Sequence, residues 1–237
     1  MPDPGTLYLV ATPIGNLEDI TVRARRVLSE APVIACEDTR HTGLLLARLG
    51  IDRAGRRLVA YHDVNERRQA PALIAMLQDG QDCALVTDAG TPGISDPGYR
   101  VVSLARESGI PVVPVPGPCA AIAALSASGL PSDRFTFLGF TAPKSARRER
   151  QFRALNPEQG TCIFYVPARN LAQVLDELGG AHPACRVVVA RELTKLYEEF
   201  VSGTPAACRQ ALAGRAIKGE VTLLVSLPRD AAGPGEG

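Results

Sequence analysis

The feature that most narrows what this chain can fold into is an alternation along its first half. Short apolar runs fall at residues 7–11, 32–36, 58–61, 83–87 and 111–115, and stretches with helical spacing occupy 22–30, 41–49, 65–78, 99–107 and 119–128. A strand wetted on one face alternates apolar and polar residues, whereas a strand covered on both faces reads as an unbroken apolar run. The pattern therefore predicts an α/β domain with a mostly parallel sheet and helices on both of its faces. Leu73 and Leu77 mark the helical period, and Thr21 is placed to cap the helix that follows it with its hydroxyl.

A turn-rich group, Gly129-Leu130-Pro131-Ser132-Asp133, closes the last of these helices. Beyond it the runs lie at 135–140, 161–166, 185–190, 196–201 and 220–227, with helices at 146–155, 170–178 and 205–213. The expected organisation is an N-terminal α/β domain over 1–117, a C-terminal α/β domain over 118–228, and a Gly-, Pro- and Ala-rich tail at 229–237 expected to be disordered. Hydrophobic residues make up 46% of the 237 and charged residues 22%, which is enough to bury a core. No apolar run is long enough to span a bilayer, and the first residues lack the basic and apolar regions of a secretory signal. Six cysteines without a C-x-x-C pair, and only three histidines, point to a reduced, cytoplasmic chain with no metal. A net charge of +1 means that any surface for nucleic acid must be local.

Ligands of open parallel sheets bind beyond the carboxyl ends of the strands, so the loops there carry the functional signal. Ala11-Thr12-Pro13-Ile14-Gly15-Asn16 follows the first run, and its Pro13 and Gly15 allow a tight turn with close backbone approach to a ligand. It is not the glycine pattern of a dinucleotide site. The segment from Asp88 to Gly98, Asp88-Ala89-Gly90-Thr91-Pro92-Gly93-Ile94-Ser95-Asp96-Pro97-Gly98, has little side-chain bulk and many amides, which suits a flat ligand such as adenosine. Asp88 and Asp96 can alternatively hold Mg²⁺, and Asp96 can simply cap the next helix. No Gly-Lys-Ser/Thr follows, so the loop is not a P-loop. Val115-Pro116-Gly117-Pro118-Cys119-Ala120-Ala121 ends the last run with small residues again.

These loops, in this order, resemble the class III (tetrapyrrole methylase-like) methyltransferases, and within them the bacterial 16S ribosomal RNA cytidine 2′-O-methyltransferases. The resemblance extends to Glu37-Asp38-Thr39-Arg40-His41-Thr42, Ser95-Asp96-Pro97-Gly98, Gly129 to Phe135, Ala190-Arg191-Glu192-Leu193-Thr194-Lys195 and Lys218-Gly219-Glu220, and it spans residues 7–227. It implies two α/β domains of the tetrapyrrole methylase type with S-adenosylmethionine in a cleft between them, a homodimer, and a substrate in 16S rRNA of the 30S subunit. Carried over by position, the cofactor contacts are Pro13, Thr91, Gly93, Ile94, Cys119, Ala120, Tyr165 and Thr222, to which the loop reading adds Gly15 and Asp88. Two positions depart from the family pattern. Val64 stands where a second histidine is common in His62-Asp63-Val64-Asn65-Glu66, and Ala11-Thr12-Pro13 replaces glycines in the first loop.

Methyl transfer to a ribose hydroxyl needs the oxygen, methyl carbon and sulfur nearly in line, with reacting atoms roughly 3 Å apart. A base or a cation at the developing alkoxide contributes about 10²–10⁴-fold. Glu37 or Asp38 is expected to orient or deprotonate the ribose, with Arg40 on a phosphate. The alternative is a helix cap by Asp38 or Thr39 and a Glu37–Arg40 pair. Lys195 is a second candidate base if burial lowers its pKa, against a surface ion pair involving Arg191 and Glu192, and His62 is either a base or structural. For RNA, Lys144, Arg147, Arg148, Arg150 and Arg153 crowd cations onto one helix that Ser145 is expected to cap, and Arg23, Arg25 and Arg26 form a weaker, solvent-facing cluster. Aromatic residues are only 5%, without tryptophan, so recognition is expected to lean on shape and phosphates rather than on an extended stacking platform. The remaining alternatives are a small-molecule tetrapyrrole or corrinoid methylase and a noncatalytic RNA-binding assembly module.

Overall fold

A computed structural model describes residues 3–228 of the chain; the expected disordered tail at 229–237 lies outside the described residues. The chain divides into two compact units, one ending at Cys119 and the other beginning at Ala120.

In the first unit, strands β1 (Leu7–Val10), β2 (Val33–Cys36), β3 (Arg57–Ala60), β4 (Cys83–Val86) and β5 (Val112–Val115) alternate with helices α1 (Val22–Glu30), α2 (Thr39–Arg48), α3 (Glu66–Gln78) and α4 (Tyr99–Glu107). The strands form one sheet in the order β3-β2-β4-β1-β5, and every pairing is parallel. The unbroken apolar runs have a direct cause. Val33 and Ala35 pack with Leu73, Leu77, Val101 and Ala105 of α3 and α4, while Ile34 and Cys36 pack with Ala24, Leu28 and Leu46 of α1 and α2. Each face of the sheet thus has its own core, and all residues of β2 and β4 are buried. Thr21 caps α1 as expected, its hydroxyl accepting from the Ala24 amide at 3.0 Å. Helix α4 starts at Tyr99 as expected, with Gly98 at its N-cap position, so Asp96 does not cap it.

The second unit contains α5 (Ala120–Ala127), β6 (Phe135–Phe140), α6 (Ser145–Arg153), β7 (Thr161–Pro167), α7 (Leu171–Ala181), β8 (Arg186–Arg191), β9 (Glu199–Gly203), α8 (Pro205–Ala211) and β10 (Glu220–Ser226). Its sheet runs β6-β7-β10-β8-β9, with β6 and β7 parallel and the other pairings antiparallel. One face packs Phe164, Val189, Leu223 and Val225 against Phe152, Val174, Leu178 and Cys208 of α6, α7 and α8. The alanine-rich α5 lies against β7 and β10. Among the described residues no helix is long and apolar enough to cross a membrane.

Helix α6 corrects two expectations. Its N-cap is Lys144, without a side-chain cap, and Ser145 instead donates its hydroxyl to Glu177 at 2.6 Å. Arg148, expected on the basic surface, is buried, with 2% of its side chain exposed. Its guanidinium grips Glu177 through two bonds, Nε to Oε2 at 2.5 Å and Nη2 to Oε1 at 2.7 Å, and donates Nη1 to the Ala142 carbonyl at 3.0 Å. Burial alone would push the Glu177 carboxyl up, but the hydrogen bonds from Arg148 and Ser145 bring it below its ordinary value. The physical reason for the misplacement is that cations at helical spacing surround the helix, so one of them must face the core, where only a forked partner makes burial tolerable.

Removing one member of a buried pair strands the other charge, and this generates a specific expectation. Arg148→Ala should destabilise the chain by about 3–5 kcal/mol in urea unfolding at neutral pH. A loss of under about 1 kcal/mol, the scale of a solvent-exposed pair, would contradict the assignment.

Candidate active site at the carboxyl edge of the first sheet

Because all strands of the first sheet run the same way, the loops after β1, β2, β3, β4 and β5 share one edge. The loops after β1, β4 and β5 are stitched together through backbone. Thr12 and Gly90 exchange both amide bonds, at 2.9 and 3.1 Å, as an isolated antiparallel bridge. The buried Thr12 hydroxyl donates to the Thr87 carbonyl at 3.1 Å, and the Thr91 hydroxyl donates to the Pro118 carbonyl at 3.0 Å. Gly90 takes a φ of +89°, where a side chain would be strained, and a Cβ on Gly117 would stand 2.9 Å from that of Ala11. The small residues read from the sequence are therefore required by the crossing of these loops.

The candidate cofactor residues take distinct positions around this stitch. Pro13, Asp88, Thr91, Cys119 and Ala120 are half-buried, while Gly15, Gly93 and Ile94 are exposed. A Cβ on Gly93 would meet nothing within 4 Å, so the backbone there faces open space. Tyr165 and Thr222 belong to the other unit, where they are direct partners across β7 and β10.

The loops after β2, β3 and β4 carry a different chemistry. Strand order brings Glu37, Asp63, Asp88 and Asp96 near one another, with His62 close to Glu37. Burial, then the charges of Asp88 and Asp63, raises the Glu37 carboxyl above its ordinary value. Asp96 is pushed up to about 7 by burial and then by Glu37, Asp63 and Asp88, against a hydrogen bond from Thr87. Oxygen Oδ1 of Asp88 is shielded from solvent and accepts no hydrogen bond among the described residues, although His41 Nδ1 lies 3.5 Å away. Among the described residues no three His, Cys, Asp or Glu side chains converge as a metal ion would require.

The remaining candidates separate. Asp38 caps α2, accepting from the Arg40 amide at 2.8 Å, and pairs with the Arg40 guanidinium at 2.9 Å. Hydrogen bonds from the Arg40 side chain and amide hold the Asp38 carboxyl well below the usual range. The cap reading thus describes Asp38, but the Arg40 partner is Asp38 and not Glu37. His62 follows β3 in a turn tied by Asn65, whose side chain accepts from the His62 amide at 2.9 Å and donates to the Ala60 carbonyl at 3.0 Å. Val64, at the departing position, is 92% exposed.

Lys195 corrects another expectation. Burial would lower its pKa, but hydrogen bonds to Glu220 at 2.7 Å and Glu192 at 3.1 Å carry it above its ordinary value. The condition for a base, a pKa lowered by burial, is therefore not met in this arrangement. Arg191 pairs with Glu199 at 2.6 Å and Lys195 with Glu192 at 3.1 Å, so the ion-pair reading describes these residues. Of the basic helix, Lys144, Arg147, Arg150 and Arg153 are exposed, with Arg153 paired to Glu149 at 3.4 Å. In the weaker cluster, Arg26 pairs with Glu30 and Arg25 donates to the Leu49 carbonyl at 3.0 Å. Asp63 was not among the sequence candidates, and Asp96 was read there only as a metal ligand or a helix cap. The signal for them is strand order, which places β2 beside both β3 and β4 and is not written in local spacing.

Comparison with known proteins was informative at this point. Residues 6–207 match the family model of the tetrapyrrole (corrin/porphyrin) methylases. A protein of Escherichia coli O157:H7 named ribosomal RNA small subunit methyltransferase I is 54% identical over 202 residues, which cover 85% of this chain and 69% of that protein. A Xylella fastidiosa protein of the same name is 47% identical over 242 residues, covering 100% of this chain and 88% of its own length. Among solved structures, the methyltransferase CobJ superposes with a TM-score of 0.69 at 19% identity, covering 98% of this chain and 97% of that one. Uroporphyrin-III C-methyl transferase from Thermus thermophilus, complexed with S-adenyl homocysteine, does so with a TM-score of 0.59 at 21% identity, covering 94% and 97%. Likeness at these identities establishes the fold.

The raised Asp96 carboxyl has a testable sign. Its ordinary value is 3.8 and its folded value about 7. The folded chain therefore favours the protonated form of Asp96, and the contribution of this group to stability is full below about pH 4 and is lost as pH rises through about 7. Asp96→Asn removes this dependence. The melting temperature of the variant, minus that of the unaltered chain, should rise between these pH values and then level off. Parallel melting profiles would contradict the burial of that carboxyl.

Proposed function

The chain belongs to the tetrapyrrole (corrin/porphyrin) methylase family, and on that premise we propose that it transfers a methyl group from S-adenosylmethionine to a ribose 2′-hydroxyl of 16S rRNA, a cytidine near the decoding centre. The observation that carries this reading is the backbone stitch of the β1, β4 and β5 loops beside the acidic group at Glu37, in a chain whose relatives are named for the small ribosomal subunit. The name of a fold neighbour solved with S-adenyl homocysteine supports the choice of cofactor.

The residues present fit that cofactor. Open space at Gly93 beside the exposed Ile94 suits a flat adenosine, and the unsatisfied Oδ1 of Asp88 can accept from a ribose hydroxyl or an ammonium group. Pro13, Gly15, Thr91 and Cys119 would hold it from the first unit's loops. Bound there, S-adenosylmethionine supplies an electrophilic methyl carbon on a sulfonium, which leaves as a neutral thioether.

The chain's own residues must then manage one proton. Glu37 is the best acceptor, because its raised pKa brings the carboxylate closer to the working pH of a general base. The charges of Asp88 and Asp63 make the local potential negative, which favours uptake of the hydroxyl proton by Glu37. Asp38 serves as the cap that fixes the start of α2 next to Glu37, and Arg40, 88% exposed, is available to a phosphate. Lys144, Arg147, Arg150 and Arg153 provide a local cationic surface for the RNA backbone despite the net charge of +1. We assign the working form as a homodimer acting in the cytoplasm on the 30S subunit, on the strength of the family resemblance.

Labelled methyl transfer to 30S subunits, free 16S RNA and a porphyrinogen tests this reading. Label should enter 16S RNA as an alkali-resistant 2′-O-methylcytidine, and Glu37→Gln should slow the single-turnover rate by about 10²–10⁴-fold. Label in the porphyrinogen alone, or on a base, would overturn it.

A further inference from the structure

Edge strand β6 carries an irregularity that core packing does not explain. Phe137 pairs with Ile163 of β7, so regular parallel spacing would set Gly139 opposite Tyr165. An inserted residue breaks the register, and Phe140 takes that place instead, with Gly139 in the left-handed region at a φ of +67°. Bulges of this kind re-aim a side chain at the expense of ladder pairing, and they cluster near functional sites. Here the re-aimed ring meets Tyr165 edge-to-face, with centroids 5.5 Å apart, yet Phe140 remains 60% exposed.

The chain leads directly from this ring to the basic helix. Residues 141–144 connect β6 to α6, so Lys144 lies at most about 14 Å from Phe140 even along an extended chain. That connection is fixed at several points. The Thr141 amide donates to the Tyr165 carbonyl at 3.0 Å, the Ala142 amide donates to Gln151 at 3.1 Å, and the buried Arg148 reaches the Ala142 carbonyl at 3.0 Å and that of Pro143 at 3.4 Å. The Arg148–Glu177 pair is thus a positioning device for the turn that displays Phe140, Lys144 and Arg147. Exposed cations on α6 are opposed by a single acid, Glu149, which Arg153 engages.

We infer that Phe140, together with Lys144 and Arg147, forms a nucleotide-binding spot in which one unstacked RNA base lies on the phenyl ring and a neighbouring phosphate meets the two cations. An aromatic face beside exposed cations is the combination that single-stranded RNA recognises, since every base can stack and every phosphate is anionic. One aromatic anchor suits a chain with few aromatic residues, and it grips a base rather than forming a platform. This inference rests on the RNA substrate proposed above.

The test measures binding of a single-stranded oligoribonucleotide containing 2-aminopurine across a salt series. Phe140→Ala should weaken binding by roughly 5- to 150-fold and relieve the quenching of 2-aminopurine, while leaving the salt slope unchanged, because stacking releases no counterions. Phe140→Tyr should retain both affinity and quenching. Lys144→Ala with Arg147→Ala should flatten the slope. The ring is largely exposed, so thermal unfolding of the Phe140 variants should match that of the unaltered chain. If the unaltered protein binds and Phe140→Ala binds equally well, the stacking is overturned and the RNA reading survives. Failure of the unaltered protein to bind removes both. A change of oligomeric state in Phe140→Ala with unaltered RNA affinity overturns the inference in favour of contact with a second copy.

Discussion

Burial of both faces of the first sheet is the constraint from which the rest of that unit follows. Helices α3 and α4 occupy one face and α1 and α2 the other, so nearly every strand side chain is committed to packing. Polar chemistry is left to the strand ends, and the parallel order gathers those ends at one edge. There the backbone must satisfy itself without a sheet to continue into. Thr12 and Gly90 do so by pairing with each other, and the hydroxyls of Thr12 and Thr91 close two further carbonyls. The polar groups of these loops are internally paired, and the backbone at Gly93 still faces open space.

The same edge is divided by strand order into two chemistries. Beyond β1 and β5 the crossing segments, residues 11–16 and 116–119, carry no charged side chain and are suited to close approach. Beyond β2, β3 and β4 they are acidic, and mutual repulsion with burial raises Glu37 and Asp96. Like charges gathered in a partly buried place cannot all ionise freely, so raised carboxyl groups arise from placement rather than from an unusual residue. Asp38, one position from Glu37, is driven the opposite way by Arg40. Neighbouring carboxylates thus acquire different roles from their surroundings.

Much of this was legible from residue order. Helices 22–30 and 99–107 and strand 135–140 coincide with the expected limits, because two-sided burial and helical period leave strong marks. Strand β9 was expected at 196–201 but spans Glu199–Gly203. The preceding residues form turns with Glu192 and Thr194 at positive φ, pinned by the Glu192–Lys195–Glu220 pairs, and apolar Leu196 is left 88% exposed. A run of hydrophobicity could not reveal that. Nor could spacing reveal that Arg148 turns inward, since its partner lies 29 residues away. The acid group at Asp96 was hidden for the same reason, being assembled by non-local strand pairing.

The second unit solves a similar problem by other means, with a mixed sheet, one buried ion pair and a bulge that sets Phe140 at an edge. The proposed methyl transfer requires that the stitched loops of the first unit hold a methyl-sulfonium nucleoside. Calorimetric titration of S-adenosylhomocysteine into the purified protein tests that claim most directly. Saturable, stoichiometric binding, lost when Gly93 is replaced by valine in a chain that still melts cooperatively, is the predicted result. Absence of any heat of binding from the unaltered chain, with no shift in its melting temperature at high ligand concentration, would contradict it.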